Sequence, residues 1–234
     1  MARKSKSMLW RVGVVLVACA VAWMQYQENT ASSKNGHKNK EEVRGEKTSK
    51  STKAPKKKSS GKYEVLEQCS LIPHKHNDGD SFHVRTPKGE DVEFRLYFVD
   101  TPESRAKTYG HGANNFKRLA EQGAYFGGLN QKQTTQIGRE AKNFVKSLLS
   151  RQKFRVTTNW ESVYSSARRY GFVTVQWDGK SRYLHEILVA EGYGRIHTLG
   201  RPLPDGSRSY HQQKSHLQAV ERTAKKNHRG AWGL

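Results

Sequence analysis

Five charged side chains between Asp78 and Glu103 carry the most distinctive chemistry in this sequence. They sit in three short runs: Asp78-Gly79-Asp80-Ser81, Phe94-Arg95-Leu96 and Val99-Asp100-Thr101-Pro102-Glu103. A lone buried carboxylate is costly, and two close together repel unless something cationic compensates them. A hard divalent cation such as Ca²⁺ or Mg²⁺ takes oxygen ligands and suits such a pair. Arg95 adds a guanidinium and Glu103 a further carboxylate. Two acids for a metal, an arginine and a free glutamate form a set suited to phosphodiester chemistry.

Two strands joined by a tight turn must position these groups. Asp80–Thr86 and Asp91–Asp100 read as a hairpin with its turn at Pro87-Lys88-Gly89-Glu90. Asp80 shares parity with Phe82 and Val84, and Asp100 shares parity with Val92, Phe94, Leu96 and Phe98. Side chains alternate faces along a strand. Both carboxylates are therefore expected on the buried face at the open end of the hairpin, with Arg95 on the opposite face. Glu103 follows in the loop.

The remaining elements complete a small barrel. Tyr63–Ile72 reads as a first strand. Residues 104–136 read as loop-rich with one helix, Asn114–Tyr125, and the sequence assigns this segment no role. Arg139–Leu149 is amphipathic, with Ala141, Phe144, Val145, Leu148 and Leu149 on one face. Phe154–Thr158 and Tyr170–Trp177 read as strands four and five, the latter ending at Asp178-Gly179. Helices are expected at Tyr183–Glu191 and Arg208–Asn227, before Arg229-Gly230-Ala231-Trp232. This order predicts an α+β domain: a five-stranded Greek-key β-barrel of the OB type with about three helices.

The three charged runs, in this order, resemble the pattern of the staphylococcal (micrococcal) nuclease family, with Ser81 in place of a threonine. The resemblance covers about Tyr63 to Trp232, including Leu188-Val189-Ala190-Glu191-Gly192 and Ala224-Lys225-Lys226. It implies the same OB-type fold and a calcium-dependent endonuclease acting on DNA and RNA. By resemblance, Asp80, Asp100 and the Thr101 carbonyl hold Ca²⁺, and Asp78 acts through a water. Glu103 is the general base or water positioner, and Arg95 is one arm of a phosphate clamp. The segment 104–136 is longer than the corresponding family loop. No internal repeat is evident, unlike the multi-copy members.

Two departures stand out. The family's Tyr-Gly-Arg before the last barrel strand becomes Ala167-Arg168-Arg169-Tyr170-Gly171. Arg169 shares parity with Val173 and Val175, taken as the core face. Arg168 shares parity with Tyr170 and Phe172, on the face expected to point away, so Arg168 is favoured as the second clamp arm and Arg169 is the alternative. The tyrosines that contact nucleotide in the family are replaced by Thr198 and Gly200, leaving Tyr193 or His197 as substitutes. The competing function class is a catalytically silent OB-fold module that binds nucleic acid. A polyanion scavenger built on the basic arm alone is a third.

Charge points to the same kind of partner. The 234 residues carry 42 Lys and Arg against 21 Asp and Glu, a formal +21. Residues 1–62 hold 15 of the basic and 4 of the acidic side chains, so the excess is +11 there and +10 in residues 63–234. Both parts should be drawn to polyanions, nucleic acid first and anionic membrane second. The two cysteines, Cys19 and Cys69, allow no disulfide within the folded domain and form no zinc cluster. A positive segment up to Arg11 precedes an apolar run from Val12 to Met24. It reads as a signal peptide with Ala18-Cys19-Ala20 as cleavage site, as a lipoprotein signal on Cys19, or as an uncleaved anchor giving membrane attachment through residues 8–24. Residues 25–61 lack Leu, Ile, Phe and Trp and read as a disordered basic linker. The nuclease-like domain, residues 62–234, is expected outside the cytoplasm, secreted or membrane-tethered, and monomeric.

Overall fold

The computed structural model describes residues 63–234. The leader and linker expected over residues 1–61 lie outside the described residues. Strand β1 (Glu64–Leu71) pairs antiparallel with β5 (Phe154–Thr158) through its first half and with β2 (Ser81–Arg85) through its second. A bulge between Leu66 and Cys69, with Gln68 at φ 57°, bends β1 so that one strand serves both partners. Strand β3 (Asp91–Leu96) pairs with β2, and β6 (Arg169–Trp177) pairs with β5. A short parallel ladder between β3 and β6 closes the ring of five strands. Closure leaves no free edge within the barrel, the arrangement expected of an OB fold.

The expected strand 91–100 is broken in two. β3 stops at Leu96, and Val99–Asp100 forms a separate strand β4 paired with β8 (Arg195–Ile196). The break lies at Phe98, whose φ is 68°, a left-handed conformation unusual for an aromatic residue. Tertiary contacts enforce it. The Phe98 N–H donates to Leu199 O, its carbonyl accepts from His197 N, and its ring stacks on Tyr210. A side chain at Gly200 would overlap the Phe98 ring, so that glycine is required by the close approach. Backbone strain of this kind persists only where its surroundings over-determine it.

Four α-helices are present among the described residues: α1 (Phe116–Tyr125), α2 (Gln131–Ser150), α3 (Leu184–Ala190) and α4 (Tyr210–Lys226). α2 begins two turns earlier than the sequence pattern suggested. Its first turns carry Gln, Thr and Gly rather than an apolar stripe, yet Asn130 and Gln133 form a reciprocal capping box that fixes the start. β7 (Lys180–Tyr183) was not expected as a strand. It returns from β6 through Asp178-Gly179, both at positive φ, as a two-residue hairpin turn demands. The core gathers Phe82, Val84, Phe94, Leu96, Val156 and Val173 from the barrel with Val145 and Leu149 from α2. On the other side of β6, Phe172 is also fully buried, against Tyr97 and Phe98. No helix among the described residues is long and apolar enough to cross a membrane.

Candidate active site

Arg95 is the hinge of the charged cluster. In the β2–β3 ladder it stands opposite Ser81, one residue after Asp80. Its Nη1 lies 3.3 Å from Asp80 Oδ1, and its Nη2 donates to Asp100 Oδ1 at 2.7 Å. Arg95 therefore meets both carboxylates, contrary to the opposite face expected from strand parity. Asp80 precedes the regular strand, and the Phe98 break resets the alternation before Asp100 is reached. Both carboxylates are buried, at 4% and 0% exposure. Asp80 Oδ2 accepts the Thr101 N–H at 2.9 Å, which ties the end of β4 to the start of β2.

Asp100 is fully buried, and protein donors take the place of water around it. Its Oδ1 accepts from Arg95 and Arg118, and its Oδ2 accepts from Arg195 Nε at 2.7 Å and Gln122 Nε2 at 3.0 Å. Burial alone would raise its pKa, but Arg118, Arg195 and Arg95 hold it below the usual carboxylate range. Asp80 moves the other way: burial raises its pKa, Arg95 opposes the rise, and Asp100 adds to it. Asp78 is pushed up to about 7, by burial first and then by Asp80, so negative charge on this side is under-compensated. Asp78 opens on a neighbouring hollow beside His74 and Lys142 rather than on the Asp100 cleft.

Glu103 is held from two sides. Its N–H donates to Gln122 Oε1 at 3.0 Å, and its Oε1 lies 2.9 Å from Arg118 Nε. Arg118 and Gln122 are one turn apart on α1, so they share a helix face. Gln122 also donates to the Thr101 carbonyl at 3.0 Å. The segment with no assigned role therefore docks directly on the candidate site. The i,i+4 pair of Arg and Gln was the available sequence signal, but nothing along the chain linked that helix to Asp100. Arg195 had no such signal, since it meets Asp100 only through the β4–β8 pairing.

A cleft of about 730 Å³ brings together Arg95, Asp100, Glu103, Arg118 and Arg168. Arg168 lies just before β6, beside this cleft, with Nε 3.5 Å from Ser166 Oγ. Arg169 is outside it, its Nη1 shared between Ser162 Oγ and the carbonyls of Ser166, Ala167 and Arg168. The Tyr170–Phe172 face of β6, expected to point away from the core, is instead buried beneath Tyr97, so strand parity does not explain the position of Arg168. Of the two aromatic substitutes, His197 borders the cleft, whereas Tyr193 packs on Phe144. Thr198 also borders it, and Gly200 lies beneath Phe98. Two rim tyrosines were not anticipated: Tyr109 is 51% exposed and Tyr164 is 88% exposed.

The oxygen donors suit a hard cation in kind. Burial disfavours the charged forms of Asp78 and Asp80, which a cation would relieve, and the buried Thr101 Oγ1 has no hydrogen-bond partner among the described residues. Asp100 and the Thr101 carbonyl are less open, since Arg118 and Gln122 already donate to them. Among the described residues, no three His, Cys, Asp or Glu side chains converge as a ready-made metal cage.

A family model described as staphylococcal nuclease homologue matches residues 93–233, more than half of the chain. The match includes Arg95, Asp100, Glu103 and Arg168 and begins after Asp80. No curated protein matches this chain.

Proposed function

Because the chain belongs to the staphylococcal nuclease homologue family, we propose that it is a calcium-dependent endonuclease that hydrolyses phosphodiester bonds in DNA and RNA. The observation that carries this reading is the convergence of Arg95, Glu103 and Arg168 on one cleft, with Asp100 at its floor. Phosphodiester hydrolysis needs a positioned water, a proton acceptor and fixed positive charge for the phosphoryl oxygens. Glu103 would accept the proton from the attacking water, as a partly exposed carboxylate at the cleft. Arg95 and Arg168 would each present a guanidinium fork to the non-bridging oxygens. Asp80 orients Arg95 and, through the Thr101 N–H, the loop that leads to Glu103. Asp80, Asp100 and the Thr101 carbonyl would hold Ca²⁺, which when bound supplies Lewis-acid charge stabilisation.

Substrate attraction is supported by the +10 carried by residues 63–234. Phosphate contacts release counterions, so affinity should fall steeply with salt. The positive, apolar start of the chain supports export or membrane tethering, and a soluble cytoplasmic protein retaining Met1 on fractionation would contradict that part.

The test is a nuclease assay of the purified chain with Ca²⁺, with Mg²⁺ and with chelator, on single- and double-stranded DNA and on RNA. Internal cleavage that depends on Ca²⁺ is expected. Tight, salt-sensitive binding without cleavage under any cation would select the silent OB-fold module instead.

A further inference from the structure

Resting on the calcium reading above, we propose that Arg118 is a resident counter-cation that competes with a divalent cation for Asp100 and Glu103. The α1 arm would thereby set the cation requirement of the site. A carboxylate has about four lone-pair positions on its two oxygens. On Asp100 all four are engaged, by Arg95, Arg118, Arg195 and Gln122. An incoming cation needs one of them.

Only one of the four donors is free to leave. The side chains of Arg95 and Arg195 are 11% and 5% exposed, and Gln122 is fully buried. Arg118 is 40% exposed at the cleft and can rotate into water. Its departure would open Asp100 Oδ1 and Glu103 Oε1 together, because one guanidinium bridges both. The helix beneath need not move. α1 stays docked through Gln122, and the segment before it is pinned by Asn115, which donates to Arg105 O and accepts from Lys107 N.

Charge makes the exchange selective. Asp80, Asp100 and Glu103 face Arg95, Arg118 and Arg195, three formal negatives against three positives. With Arg118 in place, a dication meets a site that is already neutral. With Arg118 turned out, it meets a net negative cluster of oxygen donors, the setting that hard cations prefer. A lysine at 118 would keep the positive charge but lose the fork that spans both carboxylates.

The experiment is calorimetric titration of Ca²⁺ into the full chain without nucleic acid, comparing the wild type with Arg118→Gln and Arg118→Lys. Circular dichroism melts of the same samples establish that each variant is folded. Arg118→Gln should bind Ca²⁺ more tightly, on the order of tenfold, and Arg118→Lys should lie between it and the wild type. Equal or weaker binding by folded Arg118→Gln, with wild-type binding intact, overturns the competition and leaves the calcium reading standing. Should that variant also lose turnover on nucleic acid, Arg118 is a substrate clamp instead. If neither protein binds Ca²⁺ at millimolar concentration, the competition and the calcium reading fall together.

Discussion

Gly138 of α2 lies so close to the Glu103 carbonyl that a methyl group added there would overlap it. The same methyl would also crowd the Pro102 carbonyl, so the loop carrying Glu103 is seated directly on helix backbone. Gly138→Ala is expected to destabilise the fold by about 1–3 kcal/mol, the usual cost of overpacking. It should also lower turnover, because the loop must shift away from α2. Urea denaturation and a cleavage assay read the two effects, and an Ala variant with wild-type values in both would show that the loop yields without consequence.

Asp100 and Asp80 differ in what they leave behind. Removing Asp100 takes the carboxylate partner from buried Arg195 and the closer one from Arg95, while Asp80 makes one 3.3 Å ion contact, with Arg95, beside its neutral hydrogen bonds from Ser81 Oγ and the Thr101 N–H. Asp100→Ala should therefore cost about 3–5 kcal/mol of stability, as breaking a buried ion pair does. Asp80→Ala should cost less. Equal losses in denaturant titrations would mean that Arg118 or solvent compensates the stranded arginines.

Glu103→Gln retains size and an oxygen facing Arg118 but loses charge and basicity. Turnover should fall by ~10²-fold or more while nucleic-acid affinity survives. Full activity in the presence of Ca²⁺ would remove Glu103 from the proton-transfer role.

Arg168 borders the cleft, whereas Arg169 is consumed by its own loop. Arg168→Ala should cut turnover by roughly 10²-fold, the scale of a lost transition-state contact. Arg169→Ala should mainly loosen the loop 162–168 and leave chemistry close to normal. The reverse order of severity in kcat would move the clamp to Arg169.

His185 should govern acid stability. It is fully buried, and its pKa is pushed down to about 3, by burial first and then by His216 and Arg208. The unfolded chain takes up this proton near pH 6.5, and the folded chain refuses it until about pH 3. The contribution to stability is therefore complete above pH 6.5 and is lost as pH falls toward 3, at about 1.4 kcal/mol per pH unit. His185→Phe would preserve the ring stack on Phe98 and Tyr183. It should flatten the stability–pH profile in this window, and an unchanged slope would assign the acid sensitivity elsewhere.

The barrel was legible because its strands alternate and its turns carry Gly89 and Gly179 at positive φ. Phe154–Thr158 coincides with its expected range, and the other barrel strands lie within theirs or begin one residue outside, apart from β3. The break at Phe98 was not legible, since nothing local asks a phenylalanine to adopt φ 68°. Leu199, Gly200 and Tyr210, about a hundred residues later, impose it. For the same reason the side of the sheet on which Arg95 meets Asp80 and Asp100 could not be read from strand alternation. Arg95 meets Asp100 only because of that break, and Arg118 and Arg195 arrive from elements whose docking has no local signature.

The parallel β3–β6 ladder has a consequence for how function is acquired. It pairs Arg95 with Tyr170, two residues beyond Arg168, and with the β1–β5 pairing it is one of the two long-range seams that make the ring of strands continuous. A chain with its antiparallel hairpins formed but this seam open would have much of its secondary structure and no two-armed grip on phosphate. The sequence separation across both long-range seams is large, so each carries a loop-closure cost that the local hairpins do not. If the proposed activity holds, catalytic competence would require barrel closure, and regain of cleavage during refolding should follow formation of the β3–β6 pairing rather than helix formation.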